Sequence, residues 1–188
     1  MREDTRVVIR RASSTDHEAV TSMALRLLSE LYDPREWGYS LETLEPAVKS
    51  LLQEGTGYWA LLAYLERGAA VGFVGLNQCS AVYAFGQFGE ISELYVDPEH
   101  RTAGIGAALM DAAVRFGRER GWSLLEVGAP AVPRWQRTVD FYLRGGFSVV
   151  GPRLTLSLST PNNALQRSHS RVTARARRAH GPRHAARR

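Results

Sequence analysis

A short glycine-rich loop, from Arg101 to Gly106, is the stretch of this chain best suited to chemistry. It lies between a strand-like and a helix-like segment, so it opens a helix. The first amides of a helix lack partners within the helix and lie at the positive end of its dipole. Glycines let an anion approach such amides, and an arginine adds positive charge. The pattern predicts a phosphate or pyrophosphate site, although spacing alone equally allows a tight turn without a ligand.

Two familiar phosphate-binding loops do not fit this stretch. A P-loop requires Gly-Lys-Ser/Thr at its end, whereas Gly106 is followed by Ala107 and Ala108. A dinucleotide-binding fingerprint requires a small residue three positions after its second glycine, where this chain has Leu109. We therefore expect neither of these nucleotide-binding classes.

Periodicity predicts the elements that hold the loop in place. Ile91 to Val96 is rich in β-branched and aromatic residues, as in a strand, and Asp97-Pro98 ends it. Beyond Gly104 the apolar residues recur at helical spacing until Gly121 ends the helix. The loop is thus the connection of a strand–loop–helix unit.

Further strands and helices are predicted on both sides of this unit. The first helix is expected to begin at a capping box of Thr15 and Glu18. The remaining predicted segments are a strand at 7–10, helices at 15–32 and 41–52, strands at 58–65 and 70–78, a loop at 80–89, a strand at 123–127, a helix at 133–143, and a closing hairpin of 147–150 and 153–158. This order predicts an α+β fold in αβα layers, with a mixed, mostly antiparallel central sheet.

The 188 residues divide into a predicted domain, residues 1–159, and an arginine-rich tail, residues 160–188. The tail contains eight arginines and no acidic residue, and it lacks a periodic apolar face, so we expect it to be disordered. Without the tail, the net charge of +5 becomes about −3. Contact between the tail and nucleic-acid phosphates is one interpretation, and a solvated tail without a partner is the other.

The only cysteine, Cys79, has no partner for an internal disulfide and favours a reduced, cytoplasmic setting. No apolar run approaches the roughly 18 residues that a membrane span needs, so no membrane association is expected. The five histidines are scattered along the sequence, and we expect no metal site.

Two motifs resemble the GCN5-related N-acetyltransferase (GNAT) family. Arg101-x-x-Gly104-x-Gly106, after Leu94-Tyr-Val-Asp-Pro, resembles its acetyl-CoA signature, and Phe141-Tyr142-Leu-Arg-Gly-Gly-Phe147 resembles its F-Y-x-x-x-G-F segment. The resemblance covers roughly residues 6 to 158. It implies a GNAT-like fold with a splayed strand pair, acetyl-CoA as the acyl donor, and a homodimer.

The resemblance assigns acetyl-CoA to two stretches of backbone. Leu94, Tyr95 and Val96 would pair with the pantetheine arm like an added strand, and a backbone amide, that of Val96 first, would polarise the thioester carbonyl. The pyrophosphate would lie on the amides of Arg101, Thr102, Ala103, Gly104, Ile105, Gly106 and Ala107.

The resemblance also implies two proton-transfer residues. Tyr142 would protonate the departing thiolate, and a buried packing role is the alternative. Glu93 would deprotonate the amine, with Glu90 as the second candidate. A water chain without a single base, or a Glu93 that only anchors substrate, also stays open.

The acceptor would enter beside the first two helices and the loop at 80–89, where aromatic and acidic residues suit a cationic amine. The candidate residues are Glu90, Tyr32, Trp37 and Tyr83. The same aromatics could instead cap the core. The chain departs from the family at Trp135 and Thr138, where Asn and Ala are frequent, and Arg134 or Arg137 would then compensate for a lost polar contact.

These observations predict direct transfer of an acetyl group from acetyl-CoA to a primary amine of a small molecule, either a metabolite or an antibiotic. Transfer to a protein or peptide amine is the first alternative. A non-catalytic acyl-CoA-binding module is the second.

Overall fold

The structure is a computed structural model that describes residues 7–32, 38–66, 68–151 and 153. Within those residues the strands are β1 (Val7–Arg11), β2 (Tyr58–Leu65), β3 (Ala70–Ala81), β4 (Gly86–Val96) and β5 (Leu125–Val127). The α-helices are α1 (His17–Leu31), α2 (Leu41–Leu51), α3 (Ile105–Glu119) and α4 (Gln136–Arg144).

The strands form one sheet in the order β1-β2-β3-β4-β5. Neighbouring strands are antiparallel except β4 and β5, which are parallel. The predicted α+β class with a mixed, mostly antiparallel sheet is therefore confirmed.

Helices cover both faces of this sheet. Ala60 and Leu62 of β2 are fully buried in a cluster with Met23 of α1, whereas Leu61 belongs to a cluster on the other face with Leu109 of α3. A strand that is buried on both faces needs apolar residues at every position, which explains the continuous apolar run of β2. The helices thereby form the two outer layers around the sheet.

A β-bulge at Ser92 separates β4 from β5. Gly75 of β3 pairs with Glu93 and Leu76 pairs with Ile91, so Ser92 is left without a partner on β3. The pairing of β4 with β5 covers only residues 89–91 and 125–127, and it ends directly before the bulge. Since a bulge bends its strand and can terminate pairing, the two strands diverge from Ser92 onward. The predicted splayed pair is therefore present.

Two of the predicted segments were wrong. The loop at 80–89 is mostly strand, because β3 and β4 continue toward each other and leave only a four-residue turn at 82–85. Residues 147–150 are not a strand: Val149 and Val150 are 78% and 88% exposed, so this segment does not pack onto the sheet. Most of the second predicted hairpin strand and the whole arginine-rich tail lie outside the described residues. Within the described ranges, no helix is long and apolar enough to cross a membrane.

The first helix begins differently from the predicted capping box of Thr15 and Glu18. A 3-10 turn, Ser14–Asp16, precedes α1, and the box is formed by Ser13 and Asp16. The Ser13 amide donates to Asp16 Oδ2 at 2.7 Å, and Arg10 donates to both carboxylate oxygens at 2.9 and 2.7 Å. Asp16 thereby joins β1 to the start of α1.

We expect Asp16→Ala to lower the free energy of unfolding at pH 7 by about 1 kcal/mol, since it removes a cap and an ion pair. The hydrogen bonds from Arg10 hold the pKa of Asp16 well below its usual range. A depressed pKa stabilises the native state above the unfolded-state value of about 3.9, and this contribution declines as the pH falls below it. Urea titrations of both proteins should therefore show a gap at pH 7 that narrows below about pH 4. An equal difference in the free energy of unfolding at pH 7 and below about pH 4 would contradict the stabilising role of the Asp16 carboxylate.

Candidate active site

The divergence of β4 from β5 opens a cavity of about 690 Å³. One wall is the part of β4 beyond the bulge, and the opposite wall is the end of β5 with the start of α4. Among the described residues, β4 has only β3 and β5 as neighbours, so beyond Ile91 one backbone edge of β4 has no strand beside it. The predicted residues that line this cavity are Leu94, Tyr95, Val96, Arg101, Thr102, Gly106 and Tyr142.

The glycine-rich loop forms one end of the cavity. Gly104 is the N-cap of α3 and has a φ of 83°, a left-handed conformation that favours glycine. Ala108 makes the first helical hydrogen bond, to the Gly104 carbonyl at 3.0 Å, so the amides of residues 105–107 precede it. Thr102 also has a positive φ, 70°, which is strained for a β-branched residue. Backbone strain of this kind is typical of ligand-binding loops.

The Arg101 side chain is committed to protein partners. Its Nε donates to the Val96 carbonyl at 2.8 Å, and its Nη2 donates to Glu30 Oε1 at 2.6 Å. Arg134 donates to the Glu30 carbonyl at 3.1 Å from the opposite side of the cavity. The end of α1 therefore bridges the two walls. The positive charge of Arg101 is paired with Glu30 and is not aimed freely at an anion, in contrast to the sequence-based expectation.

Tyr142 is 7% exposed, and its ring packs against Phe141 and Phe147 at centroid distances of 5.4 and 5.6 Å. It also lines the cavity. Within the described part of the chain, its hydroxyl makes no hydrogen bond. Burial raises the pKa of Tyr142 to about 12, so the hydroxyl stays protonated at neutral pH. The Tyr142 ring therefore packs in the core while its hydroxyl is available to a ligand in the cavity.

Glu93 is partly buried and does not line the cavity. Its Oε2 accepts hydrogen bonds from Ser92 Oγ at 2.6 Å and from Tyr58 Oη at 3.1 Å. Burial raises the pKa of Glu93, and the hydrogen bonds from Ser92 and Tyr58 oppose this rise. A raised pKa is what a carboxylate needs in order to accept a proton near neutral pH.

Two other candidates, Glu90 and Tyr83, lie at the β5 end of the sheet. Glu90 is paired with Arg153, and Cys79 Sγ lies 3.8 Å from its Oε2. Tyr83 is 62% exposed on the turn between β3 and β4, and it donates to Glu126 Oε1 at 3.0 Å. Neither residue lines the cavity.

The remaining predicted residues that the structure describes also lie off the cavity wall. Tyr32 follows α1, is 40% exposed and lies 6.3 Å from Tyr39 between ring centroids. Ile105, the first residue of α3, is buried in the core. Trp37 lies outside the described residues. The loop residues whose predicted role depends on backbone amides and whose side chains do not line the cavity are Ala103, Gly104, Ile105 and Ala107.

The unusual residues at the start of α4 do line the cavity. Trp135 and Thr138 lie there together with Arg134 and Arg137. Arg134 lies over the Trp135 ring, 5.2 Å from its centroid. Arg134 also contacts α1, whereas Arg137 is exposed and adds positive charge to the cavity wall.

Sequence reasoning missed the groups that hold Glu93. Ser92 lines the cavity and also contacts Glu93, and Asn77 Nδ2 donates to Ser92 Oγ at 3.0 Å. A Cβ on Gly75 would lie 2.1 Å from Glu93 Oε2, so only glycine leaves room for the carboxylate. Adjacency of Ser92 and Glu93 was the only local signal, and it does not reveal the bulge.

The cavity combines an open backbone edge, helix amides at one end and the hydroxyl of Tyr142 on its wall. Such a cavity is suited to an extended anionic ligand that reacts inside the protein. This combination fits the class of acyl-CoA-dependent transferases. In the described residues, no three His, Cys, Asp or Glu side chains form a group that could hold a metal ion.

Comparison with known proteins agrees with this class. The model of the "Acetyltransferase (GNAT) family" matches residues 24–147 of the 188. The chain belongs to the GNAT acetyltransferase family.

Individual relatives cover the chain to different extents. An uncharacterised N-acetyltransferase of Methanocaldococcus jannaschii is 33% identical over 43% of this chain, which is 35% of that protein. An aminoalkylphosphonate N-acetyltransferase of Salmonella typhimurium is 29% identical over 84% of this chain and 96% of its own length. Thus the chain spans about a third of the first relative and nearly all of the second.

A solved structure shares the fold. The ribosomal-protein-alanine N-acetyltransferase from Brucella melitensis biovar Abortus 2308 superposes with a TM-score of 0.63. The match is 24% identical and covers 81% of this chain and 99% of that one.

Proposed function

We propose that this chain transfers the acetyl group of acetyl-CoA to a primary amine of a small molecule. The observation that carries the proposal is one cavity with two kinds of wall, the open backbone edge of β4 and the buried hydroxyl of Tyr142. The backbone edge suits an extended pantetheine arm, and the hydroxyl suits the sulfur that must leave. A module that only bound acyl-CoA would need no unpaired hydroxyl inside the protein.

The residues divide the work between binding and proton transfer. Helix amides at residues 105–107 would hold the pyrophosphate, and exposed Arg137 would add charge where Arg101 is already paired with Glu30. Backbone of Leu94 to Val96 would align the pantetheine arm. The amine nitrogen then forms a bond to the acetyl carbon, the carbon–sulfur bond breaks, and the amine proton leaves toward Glu93.

Tyr142 would act on the departing sulfur. A thiol has a reference pKa of about 8.5, well below the value of about 12 for Tyr142. Full proton transfer from the phenol to a free thiolate is therefore uphill, and the first effect is a hydrogen bond to the sulfur as negative charge develops on it. Such donors stabilise the transition state without reorganisation.

The acceptor class is proposed from the relatives. The Salmonella typhimurium relative, which aligns over nearly its whole length, is named for an aminoalkylphosphonate, a small amine. The Brucella structure is named for a ribosomal-protein alanine, which is the protein-amine alternative. An amine panel of 2-aminoethylphosphonate, an aminoglycoside and a peptide with an N-terminal alanine separates the two classes. A cytoplasmic setting and a homodimer stay predictions.

Calorimetric titration with acetyl-CoA tests the cofactor. We expect Gly104→Val to weaken acetyl-CoA binding at least tenfold, because the left-handed N-cap conformation costs a β-branched residue roughly 1–2 kcal/mol and its loss moves the amides of 105–107. No atom lies within 4 Å of a Cβ at Gly104, so the effect is conformational.

Gly121→Val is the matched control. Gly121 follows the other end of α3, has a φ of 72° and also has open space around a Cβ. This variant should lose similar stability but keep wild-type affinity. Equal affinity in both variants would mean that the loop is only a turn, and the proposal would fail if folded wild-type protein bound no acetyl-CoA.

A further inference from the structure

Ser92 stands between the cavity and Glu93. Ser92 is exposed and lines the cavity, whereas Glu93 does not. The two side chains are joined by a 2.6 Å hydrogen bond from Ser92 Oγ to Glu93 Oε2. This distance is at the short end for a hydroxyl donating to a carboxylate, as in charge-assisted bonds. A proton that leaves the cavity for Glu93 therefore has the serine hydroxyl in its path.

The Ser92 hydroxyl already makes two hydrogen bonds, one as donor and one as acceptor. A hydroxyl has one donor and two acceptor lone pairs. The donor is committed to Glu93, and one lone pair accepts from Asn77 Nδ2 at 3.0 Å. Among the described residues nothing else contacts this oxygen, so one lone pair remains that can accept a proton from a group in the cavity. Asn77, on β3, thus orients the hydroxyl so that its hydrogen points at the carboxylate.

The carboxylate at the far end of this chain of hydrogen bonds is held in position. Tyr58 Oη donates to the same oxygen, Oε2, at 3.1 Å. A Cβ on Gly75 would lie 2.1 Å from Oε2 and 2.6 Å from Tyr58 Oη, so β3 leaves this space only with glycine. Three strands therefore contribute to one carboxylate that reaches the cavity through Ser92.

We propose that Ser92 relays the proton of the acceptor amine to Glu93, an inference that rests on the proposed acetyl transfer. As the amine nitrogen bonds to the acetyl carbon, its N–H proton moves to Ser92 Oγ, and the Ser92 O–H proton moves to Glu93 Oε2. Serine is neutral before and after the step, and Glu93 ends as the carboxylic acid. The electron pair of the broken carbon–sulfur bond stays on sulfur, and Glu93 later returns its proton to water.

The charges around Glu93 are compatible with this role. The titratable groups that face it are Tyr58 on β2 and Glu90 on its own strand. Glu90 raises the pKa of Glu93, and it is itself contacted by Cys79 of β3 and paired with Arg153. Because the base works as a carboxylate, activity should fall as the pH decreases through the raised pKa of Glu93.

The test compares Ser92→Ala with Ser92→Thr, using acetyl-CoA and the most active amine of the panel. We expect Ser92→Ala to lower kcat/KM about 100-fold, in the range for loss of general acid–base catalysis. Its acetyl-CoA affinity should stay within twofold of wild type. Threonine keeps a hydroxyl and should recover kcat/KM to within about tenfold of wild type. The fall in kcat/KM toward acidic pH that results from protonation of Glu93 should be present in wild type and Ser92→Thr. It should be absent in Ser92→Ala.

A double-mutant cycle of Ser92→Ala with Glu93→Gln completes the test. Residues that act as one unit are not additive, so Ser92→Ala/Glu93→Gln should be no slower than either single variant. Ser50→Ala, an exposed serine on α2, is the control and should retain wild-type kinetics. Full activity with an unchanged pH profile in Ser92→Ala would overturn the relay and leave acetyl transfer intact. Wild-type protein that acetylates no amine would overturn both.

Discussion

Tyr142→Phe should lower kcat about 100-fold and leave the affinity for acetyl-CoA within about twofold of wild type. The substitution removes one hydroxyl that lines the cavity and keeps the ring that packs against Phe141 and Phe147. Loss of one positioned hydrogen-bond donor to a developing negative charge typically costs about 10²–10³ in kcat. Steady-state kinetics on the amine panel, with calorimetry for acetyl-CoA, measures both quantities.

Stability makes this variant easy to interpret. The Tyr142 hydroxyl makes no hydrogen bond within the described residues, so its removal leaves no protein group unpaired. Because the hydroxyl borders the cavity and pairs with no described group, its removal should change the free energy of unfolding little. A thermal melt at the wild-type midpoint would show that a loss of turnover does not come from unfolding.

A tyrosine away from the cavity supplies the control. Tyr64 on β2 accepts a hydrogen bond from Arg10 at 2.6 Å, and Tyr64→Phe should keep wild-type kcat. Wild-type kcat in Tyr142→Phe as well would remove Tyr142 from the mechanism. The pH profile adds a second check: with a pKa of about 12, Tyr142 contributes no alkaline limb below roughly pH 11.

Elements marked by strong local signals could be predicted from the sequence. The bounds of β2 were predicted correctly because Gly57 precedes the strand and a glycine-containing turn follows it. The helix after the loop was also predicted, since Gly104 and Gly121 mark its two ends. In each case the residues that decide the conformation are neighbours in sequence.

The capping box shows where local signals become ambiguous. Thr15 with Glu18 and Ser13 with Asp16 have the same spacing. The 3-10 turn at Ser14–Asp16 selects the second pair, and an arginine from β1 completes it. That arginine is fixed by strand pairing, which the local pattern does not contain.

The candidate site could be predicted only in part because its geometry depends on strand register. The bulge at Ser92 exists only in the pairing of β4 with β3, and it decides that Ser92 faces the cavity while Glu93 packs beside Tyr58. Likewise, Arg101 is paired with Glu30, 71 residues away in sequence, so its charge is less available than the motif implies. The roles of all these residues stay predictions until kinetics are measured.

Gly89→Ala is the substitution with the largest expected effect on stability. A Cβ on Gly89 would lie 2.2 Å from two atoms of the Trp122 ring and 2.8 Å from Leu125 Cδ1. Trp122 has little freedom to move: its ring is 5.7 Å from that of Phe116, and a Cβ on Gly117 would already be 3.0 Å from it. We expect a loss of about 3 kcal/mol from overpacking. Thermal unfolding should then occur roughly 6–12 °C below wild type.

Two further variants make this prediction specific. Gly106→Ala adds a Cβ in a helix at 3.6 Å from Phe141, an ordinary contact, and should not lower the free energy of unfolding. Trp122→Leu should offset part of the damage of Gly89→Ala, because residues in direct conflict are not additive. A Gly89→Ala protein with wild-type stability would contradict the packing described here.

The Gly89→Ala substitution should also affect the cavity. Gly89 pairs with Leu125 at the start of the short β4–β5 ladder, which ends where the strands diverge. Displacing Trp122 and Leu125 would loosen that ladder, and acetyl-CoA affinity should fall together with stability.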